Sequence, residues 1–163
     1  MTKTGIYPGT FDPMTKGHIN IIYRSLKIVD KLIIGIADNP NKKPLFTTKE
    51  RKNIIEHDIL SNKLDPNKIQ IKQVDGLLTD FAKSFKANCI IRGLRVVSDF
   101  EYEFQMTGMN YQLNPNIETI FLMSSDNNSF ISSNLVKQVH ELGGDVSKFV
   151  SKNTINILNN KNS

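Results

Sequence analysis

The sequence lacks the features that mark several classes of protein. Cys89 is the only cysteine among 163 residues, so no internal disulfide can form, as is usual for proteins of a reducing cytosol. No stretch approaches the roughly 20 consecutive apolar residues of a membrane-spanning helix. The strand-like residues Gly5, Ile6 and Tyr7 follow the first methionine so closely that we expect no signal peptide. We therefore predict a cytoplasmic protein that does not bind a membrane.

Several catalytic and metal-binding motifs are missing as well. His57 and His140 have no partners at metal-ligand spacing, which argues against a structural zinc site. The chain contains neither a Walker A run nor a Gly-x-Ser-x-Gly elbow, which argues against a P-loop kinase and an acyl transferase. A Gly-x-Gly-x-x-Gly fingerprint is also absent, and we expect neither NAD nor FAD. Cys89 lies in an apolar run, which favours a buried position over a nucleophilic role.

Composition indicates one globular domain over residues 1–163, with a short C-terminal helix and a polar tail from about residue 151. Hydrophobic residues make up 39% of the chain and charged residues 23%, enough apolar material for a core. The formal net charge of +5 suits either a nucleic acid or phosphorylated small molecules. Because the lysines are scattered and the only dense pair is Lys42-Lys43, we favour phosphorylated ligands.

Short strand-like runs alternate with helical patterns along the chain. The runs are rich in Ile, Val and Leu on both faces, as parallel strands covered by helices usually are. This alternation predicts an α/β fold, a doubly wound, Rossmann-like sheet of five parallel strands with helices on both faces. The predicted strands are Thr4–Tyr7, Leu32–Ala37, Ile69–Val74, Cys89–Arg92 and Thr119–Met123.

Apolar spacing and capping residues predict the helices. The first helix is marked by apolar residues at steps of three and four. Capping-box patterns begin the second helix, at Thr47 and Glu50, and the fourth, at Ser98 and Glu101. Gly143 is expected as the left-handed residue after the fifth. The stripe of the first helix is Ile19, Ile22, Leu26 and Val29, and later helices are predicted near Leu78–Lys86, Ser98–Leu113, Ser132–Leu142 and Asn153–Leu158.

The most informative run is residues 9–18, Gly-Thr-Phe-Asp-Pro-Met-Thr-Lys-Gly-His, between the first strand and the first helix. The unpaired N–H groups and peptide dipoles of such a helix start attract anions. Gly9 and Gly17 permit close approach of the backbone, while Thr10 offers a hydroxyl and His18 an imidazole. Ligands of doubly wound sheets bind beyond the carboxyl ends of the strands. We therefore expect the loops after all five strands to converge there on a phosphate-handling site.

Three later loops carry further phosphate-binding chemistry, each with a structural alternative. Lys42-Lys43, between prolines after the second strand, suits a phosphate or a merely solvated loop. The run Arg-Gly-Leu-Arg at 92–95 suits phosphate oxygens, or its arginines pair with the acidic residues of 99–103. Ser132-Ser133 opens the fifth helix as a second anion site or as an ordinary N-cap.

The run at 10–18 resembles the signature of the nucleotidyltransferase superfamily, and in this form that of the bacterial phosphopantetheine adenylyltransferases. The Arg-Gly-Leu-Arg run with Asp-Phe-Glu-Tyr-Glu at 99–103 is similar to the same family. Residues 131–137 resemble its triphosphate-binding Ile-Ser-Ser-Thr-x-x-Arg element, from which Asn134 and Lys137 depart. The resemblance spans roughly residues 4–150.

The resemblance implies reversible adenylyl transfer from ATP to 4′-phosphopantetheine, giving dephospho-coenzyme A and pyrophosphate. It also implies Mg²⁺ held mainly by ATP phosphates and water, coenzyme A as an inhibitor, and a homohexamer that binds no nucleic acid. The implied catalytic residues are His18, Thr10, Lys42 and Arg92, and the implied acceptor contacts are Thr10, Lys42, Leu78 and Arg92. The implied ATP contacts are Thr10, Phe11, His18, Gly93, Leu94, Arg95, Glu103, Asn128, Ser129, Phe130, Ile131, Ser132, Ser133 and Asn134.

Three other functions remain open at this point. The first is nucleotidyl transfer to another acceptor, such as nicotinamide mononucleotide or an alcohol phosphate. The second is nucleic-acid binding, which would show steep salt dependence without ATP turnover. The third is regulatory binding of a nucleotide, with no product formed.

Overall fold

The computed structural model describes residues 2–38, 43–95, 97–125 and 129–161, with no side chains described at 97–99. Within these ranges, five strands form one parallel sheet in the order β3-β2-β1-β4-β5. The predicted five-stranded α/β fold is confirmed, and each strand extends no more than two residues beyond its predicted ends. The strands are β1 Thr4–Gly9, β2 Lys31–Ala37, β3 Ile69–Val74, β4 Cys89–Leu94 and β5 Glu118–Met123.

Most helices of the described chain follow their predicted patterns. Thr47 and Glu50 form the expected capping box, each side chain accepting the other's backbone N–H at 2.8 and 3.2 Å. Gly143 is left-handed, with φ of 78°, after the fifth helix. The capping box predicted at Ser98 falls outside the described side chains. The helices are α1 Lys16–Ser25, α2 Thr48–Ser61, α3 Leu78–Ser84, α4 Val97–Leu113, α5 Ser133–Glu141 and α6 Lys152–Lys161, and a 3₁₀ turn spans Pro66–Lys68.

The first helix is shorter than its apolar stripe predicts. α1 ends at Ser25, and the N–H groups of Lys27 and Ile28 bond to carbonyls three residues back. Such bonds tighten and end a helix. Val29 is nevertheless buried in the core. The spacing therefore predicted burial correctly, but the helical backbone it implied beyond Ser25 is wrong.

Adjacent residues of the central strands enter two different apolar clusters. Ile33 of β2 packs with Phe81 of α3, whereas its neighbour Ile34 belongs to a larger cluster with Ile22 of α1 and Ile55 of α2. Because side chains of a strand alternate between faces, the two clusters lie on opposite sides of the sheet. Helices therefore cover both faces, as predicted. Among the described residues, none of the helices is long and apolar enough to span a bilayer.

Candidate active site

A cavity of about 990 Å³ opens at the carboxyl edge of the sheet. The chain passes outward from β1 through β2 to β3, then crosses back to β4 beside β1, so the strand order reverses here. Loops after all five strands contribute to the cavity wall, which confirms the expected convergence. The predicted site residues in this wall are Thr10, His18, Leu78, Arg92, Gly93, Arg95, Glu103, Ile131, Ser132, Ser133 and Asn134.

Six other predicted residues are not found in this wall. Phe11 is fully buried in the core, and Phe130 is exposed outside the cavity. Lys42 and Asn128 fall outside the described residues, although Lys43, beside Lys42, lines the cavity. The described residues away from the wall are Phe11, Leu94, Ser129 and Phe130. The binding roles of all six stay predictions.

The imidazole of His18 is held in one tautomer by the start of α1. Thr15, the N-cap, donates its backbone N–H to Nδ1 of His18 at 3.0 Å, while the Thr15 hydroxyl accepts from the His18 N–H at 3.4 Å. A backbone N–H can only donate, so Nδ1 must be the unprotonated nitrogen. In the neutral ring the proton therefore lies on Nε2. His18 is thus a neutral donor with a fixed orientation.

Aromatic rings pack around this imidazole and keep it neutral. The Phe11 ring meets it edge-on at 5.0 Å between centroids, and the Tyr7 ring lies 6.4 Å away. Burial, together with the positive charge of Arg95, lowers the pKa of His18 to about 4. A Cβ on Gly9 would come 3.0 Å from the Phe11 ring. A side chain at position 9 would press against this ring, so Gly9 favours the packing, a reason that the sequence pattern did not reveal.

Arg92 and Glu103 form a bidentate ion pair inside the cavity wall. Nε of Arg92 donates to Oε2 of Glu103 at 2.8 Å, and Nη2 donates to Oε1. Nη1 donates to the Pro8 carbonyl at 3.0 Å. The structural alternative, an ion pair between an arginine and the acidic run, is therefore confirmed for these two residues. Three of the five guanidinium N–H groups are used, which leaves two for an anion in the cavity.

The start of α5 uses its serine hydroxyls within the protein. Ser132 is the N-cap, and its hydroxyl accepts from the Leu135 N–H at 3.1 Å, so the N-cap alternative is confirmed. Ser133 donates its hydroxyl to the Pro13 carbonyl at 2.7 Å. At this helix start, the backbone N–H groups of Ser133 and Asn134 and the O–H of Ser132, whose oxygen accepts from Leu135, are the donors best suited to an anion.

Asp12 is a site residue that the sequence analysis missed. Its buried carboxylate accepts the backbone N–H groups of Leu45 and Phe46 at 2.9 and 2.8 Å, and Nζ of Lys137 at 2.7 Å. It therefore joins the loop after β1 to the segment before α2 and to α5. Lys137, one of the two departures from the resembled pattern, lines the cavity and is paired there with Asp12.

Arg51 was missed as well, since it lies within a helix of charged residues and resembles an ordinary surface arginine. Its side chain is only 1% exposed and lines the cavity. A buried arginine departs from the usual exposure of this residue type. The only signal of its role in the sequence was its position one turn after the Thr47 N-cap. This position places Arg51 at the N-terminal end of α2, near the carboxyl ends of the strands.

The donor set of this wall is cationic, which bears on metal binding. Among the described residues, no group of three or more His, Cys, Asp or Glu side chains is placed to hold a metal ion. Five cationic side chains, those of Lys43, Arg51, Arg92, Arg95 and Lys137, outnumber the carboxylates of Asp12, Asp38 and Glu103 in this wall. Such a wall suits a metal that arrives already bound to phosphates better than a resident metal.

Comparisons with known proteins agree with this arrangement. The sequence model of the cytidylyltransferase-like family matches residues 6–139. A phosphopantetheine adenylyltransferase from Wolbachia pipientis wMel is 56% identical over 98% of this chain and 94% of its own. One from Pelagibacter ubique is 51% identical over 99% of both.

Solved structures share the fold at lower identity. A nicotinic acid mononucleotide adenylyltransferase from Plasmodium falciparum, complexed with NaAD, matches with a TM-score of 0.74 at 19% identity, over 99% of this chain and 97% of that one. A bifunctional NMN adenylyltransferase/ADP ribose pyrophosphatase from Francisella tularensis matches with a TM-score of 0.72 at 21% identity. This chain is 98% covered in that match but spans only 49% of the Francisella chain.

Proposed function

The chain belongs to the cytidylyltransferase-like family and, within it, to the phosphopantetheine adenylyltransferases, and we propose from this premise that it transfers the adenylyl group of ATP to 4′-phosphopantetheine. The products are dephospho-coenzyme A and pyrophosphate. The observation that carries the proposal is one cavity walled by the loops after all five strands, four of which bring neutral or cationic donors. Such a wall suits two polyanions that must meet end to end.

In the proposed reaction, an oxygen of the acceptor phosphate forms a bond to the α-phosphorus of ATP. The bond from that phosphorus to the oxygen bridging to the β-phosphate breaks, and pyrophosphate leaves with the electron pair. The acceptor phosphate is already ionised near neutral pH, so no general base is needed. The protein must align two anions that repel each other and stabilise the charge that develops between them.

The proposed roles follow the positions of the side chains. Nε2–H of His18 donates to an oxygen of the α-phosphate that is transferred with the adenylyl group, and Thr10 orients the acceptor phosphate. Arg92, with two N–H groups left, and Lys42 neutralise the acceptor. Gly93, Leu94, Arg95, Glu103, Phe11 and the residues 128–134 contact ATP, and Leu78 contacts the apolar arm of the acceptor. For this helix start we propose phosphate contact through its backbone N–H groups and the Ser132 O–H, since Ser133 already donates its hydroxyl to the Pro13 carbonyl.

Magnesium enters this proposal as part of the ATP substrate. The cationic wall offers no carboxylate cage in the described residues, so the ion stays on phosphate oxygens and water. We also propose a cytoplasmic location, supported by a composition with one cysteine. Coenzyme A, which contains the whole acceptor moiety, is proposed to compete for the same cavity.

Product analysis tests the proposal directly. The pure protein is incubated with ATP, Mg²⁺ and one acceptor at a time: 4′-phosphopantetheine, nicotinamide mononucleotide, nicotinic acid mononucleotide or glycerol phosphate. We expect pyrophosphate and dephospho-coenzyme A with the first acceptor only. Equal turnover with a mononucleotide would replace the acceptor assignment. ATP binding with no product from any acceptor would favour a regulatory protein.

The protonation of His18 gives a pH prediction. Its pKa near 4 lies below the ordinary value of 6.5, so the folded protein resists protonation there. Between these values the unfolded chain binds the extra proton, and this group lowers stability as the pH falls from about 6.5 towards 4. We expect the His18 ring proton signal to titrate near pH 4 in NMR, with His18→Ala used to assign it. A midpoint near 6.5 would contradict the effect of burial on the pKa of His18.

The apolar side chains exposed around α4 support an assembly of several chains, which we propose to be a homohexamer. In the single chain, Phe104, Met109 and Leu113 are each more than half exposed, an unusual concentration of large apolar side chains. We expect light scattering to give six times the 18.5 kDa mass of one chain. Met109→Glu should dissociate the assembly, whereas Leu142→Glu, at an exposed leucine after α5, should not. A monomeric wild-type protein would refute the assembly.

A further inference from the structure

Arg51 is the buried cation that the proposed roles leave unused. Its side chain projects from the first turn of α2 and makes four donations. Nη1 reaches the Thr10 carbonyl at 3.0 Å and the Ala37 carbonyl at 3.4 Å, while Nη2 reaches the Thr48 hydroxyl at 3.2 Å and a carboxylate oxygen of Asp38. Nε is buried and, in the described structure, has no hydrogen-bond partner.

These contacts join the carboxyl ends of two neighbouring strands. Thr10 directly follows β1, and Ala37 with Asp38 ends β2, so one guanidinium bridges two of the loops that form the cavity. Thr10 itself is exposed to the cavity on its loop. The bond from Arg51 therefore restrains the peptide unit that carries the Thr10 side chain.

The loop after β2 is held at its far end by a second buried charge. Asp12, two residues after Thr10, accepts the N–H groups of Leu45 and Phe46. Asp38 and Leu45 are thus each tied to the β1 loop, Asp38 through Arg51 and Leu45 through Asp12. Arg51 forms the first of these ties as a hydrogen-bond donor, and Asp12 forms the second as an acceptor.

We propose that Arg51 is a positioning residue for adenylyl transfer, which orients Thr10 and the start of the β2 loop towards the acceptor phosphate. The inference rests on the proposed function, because it assigns Thr10 to the acceptor. An ammonium group would not replace the guanidinium, whose planar fork reaches acceptors on both loops at once. Burying the Arg51 guanidinium with one half-exposed carboxylate as its partner carries a large desolvation penalty. Neutral groups could link the helix to the sheet with a smaller penalty, so a purely structural role does not explain a charge here.

The test compares Arg51→Lys with a control from the same helix. Arg51→Lys keeps the positive charge but cannot bridge Thr10 and Asp38 together. Asp58→Asn removes another buried charge of α2, two turns later and outside the cavity wall. For each variant, kcat, KM for 4′-phosphopantetheine, ATP affinity by equilibrium dialysis and thermal unfolding are measured on the full protein.

For Arg51→Lys we expect kcat to fall about 10- to 100-fold, since small displacements of a reacting group carry penalties of that size. KM for the acceptor should rise, while ATP affinity should stay within about twofold, because none of the Arg51 contacts is to Arg95 or to the α5 start. Asp58→Asn should keep the wild-type kcat. Normal kcat in folded Arg51→Lys, or an equal loss of ATP affinity, would overturn the positioning role.

A second variant keeps the inference testable if Arg51→Lys does not fold. Asp38 is 46% exposed, and Asp38→Asn removes the countercharge of Arg51 but keeps a side-chain oxygen that can accept from Nη2, so it weakens only one side of the Arg51 fork. It should lower kcat several-fold with unchanged ATP affinity, and an unchanged kcat would overturn the proposal. Wild-type product analysis separates the two hypotheses: a different acceptor refutes the proposed function, and the Arg51 comparison is then made with that acceptor.

Discussion

Replacing His18 by alanine is expected to lower kcat about 10²- to 10³-fold, the penalty for removing one preorganised donor from a developing charge. The Thr15 N–H holds Nδ1, so Nε2–H is oriented before any substrate binds. Such a donor is worth most in the transition state, and ATP affinity should therefore change far less than kcat. Steady-state kinetics together with ATP binding by equilibrium dialysis measure the two effects separately.

The matched control is another histidine of the chain. His57 lies on α2, is half exposed and does not line the cavity, so His57→Ala should turn over normally. Normal turnover of His18→Ala would refute the donor role. Weaker ATP binding with an unchanged kcat would show instead that His18 binds the ground state and the transition state equally.

Replacing Arg92 by methionine is expected to have two separable effects. The Glu103 carboxylate loses its bidentate partner and remains 8% exposed, which should reduce the free energy of unfolding by about 1–3 kcal/mol. The acceptor phosphate also loses a charged donor. We expect kcat/KM for 4′-phosphopantetheine to fall about 30-fold or more, the equivalent of about 2 kcal/mol for a lost desolvated charge contact.

A double variant distinguishes these effects. Arg92→Met combined with Glu103→Gln removes the unpaired carboxylate, so urea unfolding should show much of the stability restored. Activity should not return with it, because the donor to the acceptor is still missing. If the double variant regained activity, Arg92 would serve only to neutralise Glu103.

The parts of the fold that depend on local residue patterns were predicted well. The β3 bounds agree with the prediction, and the Thr47 capping box and the left-handed Gly143 are present. Each of these depends on neighbours within a few residues of the chain. The helical extension towards Val29 failed because apolar spacing reports burial, and a turn buries a side chain as well as a helix does.

The candidate site was predicted less completely, for a physical reason. Motifs identified Thr10, His18 and Arg92, but not the partners that restrain them. Arg51 lies 41 residues from Thr10, and Lys137 lies 125 residues from Asp12. Residues so far apart in the chain form no local pattern, so a single sequence does not show that they are in contact.

By itself, the sequence determined the order of strands and helices, the parallel sheet and the loops that carry phosphate-binding groups, because backbone preference and apolar periodicity are local. Only the tertiary structure decided which groups are already engaged: the Arg92–Glu103 pair, the serine hydroxyls of α5 and the tautomer of His18. Each of these depends on which donor meets which acceptor in the folded chain. Ser133 reaches the Pro13 carbonyl across 120 residues, and even the local contact of Thr15 with His18 requires a side-chain orientation that spacing alone does not give.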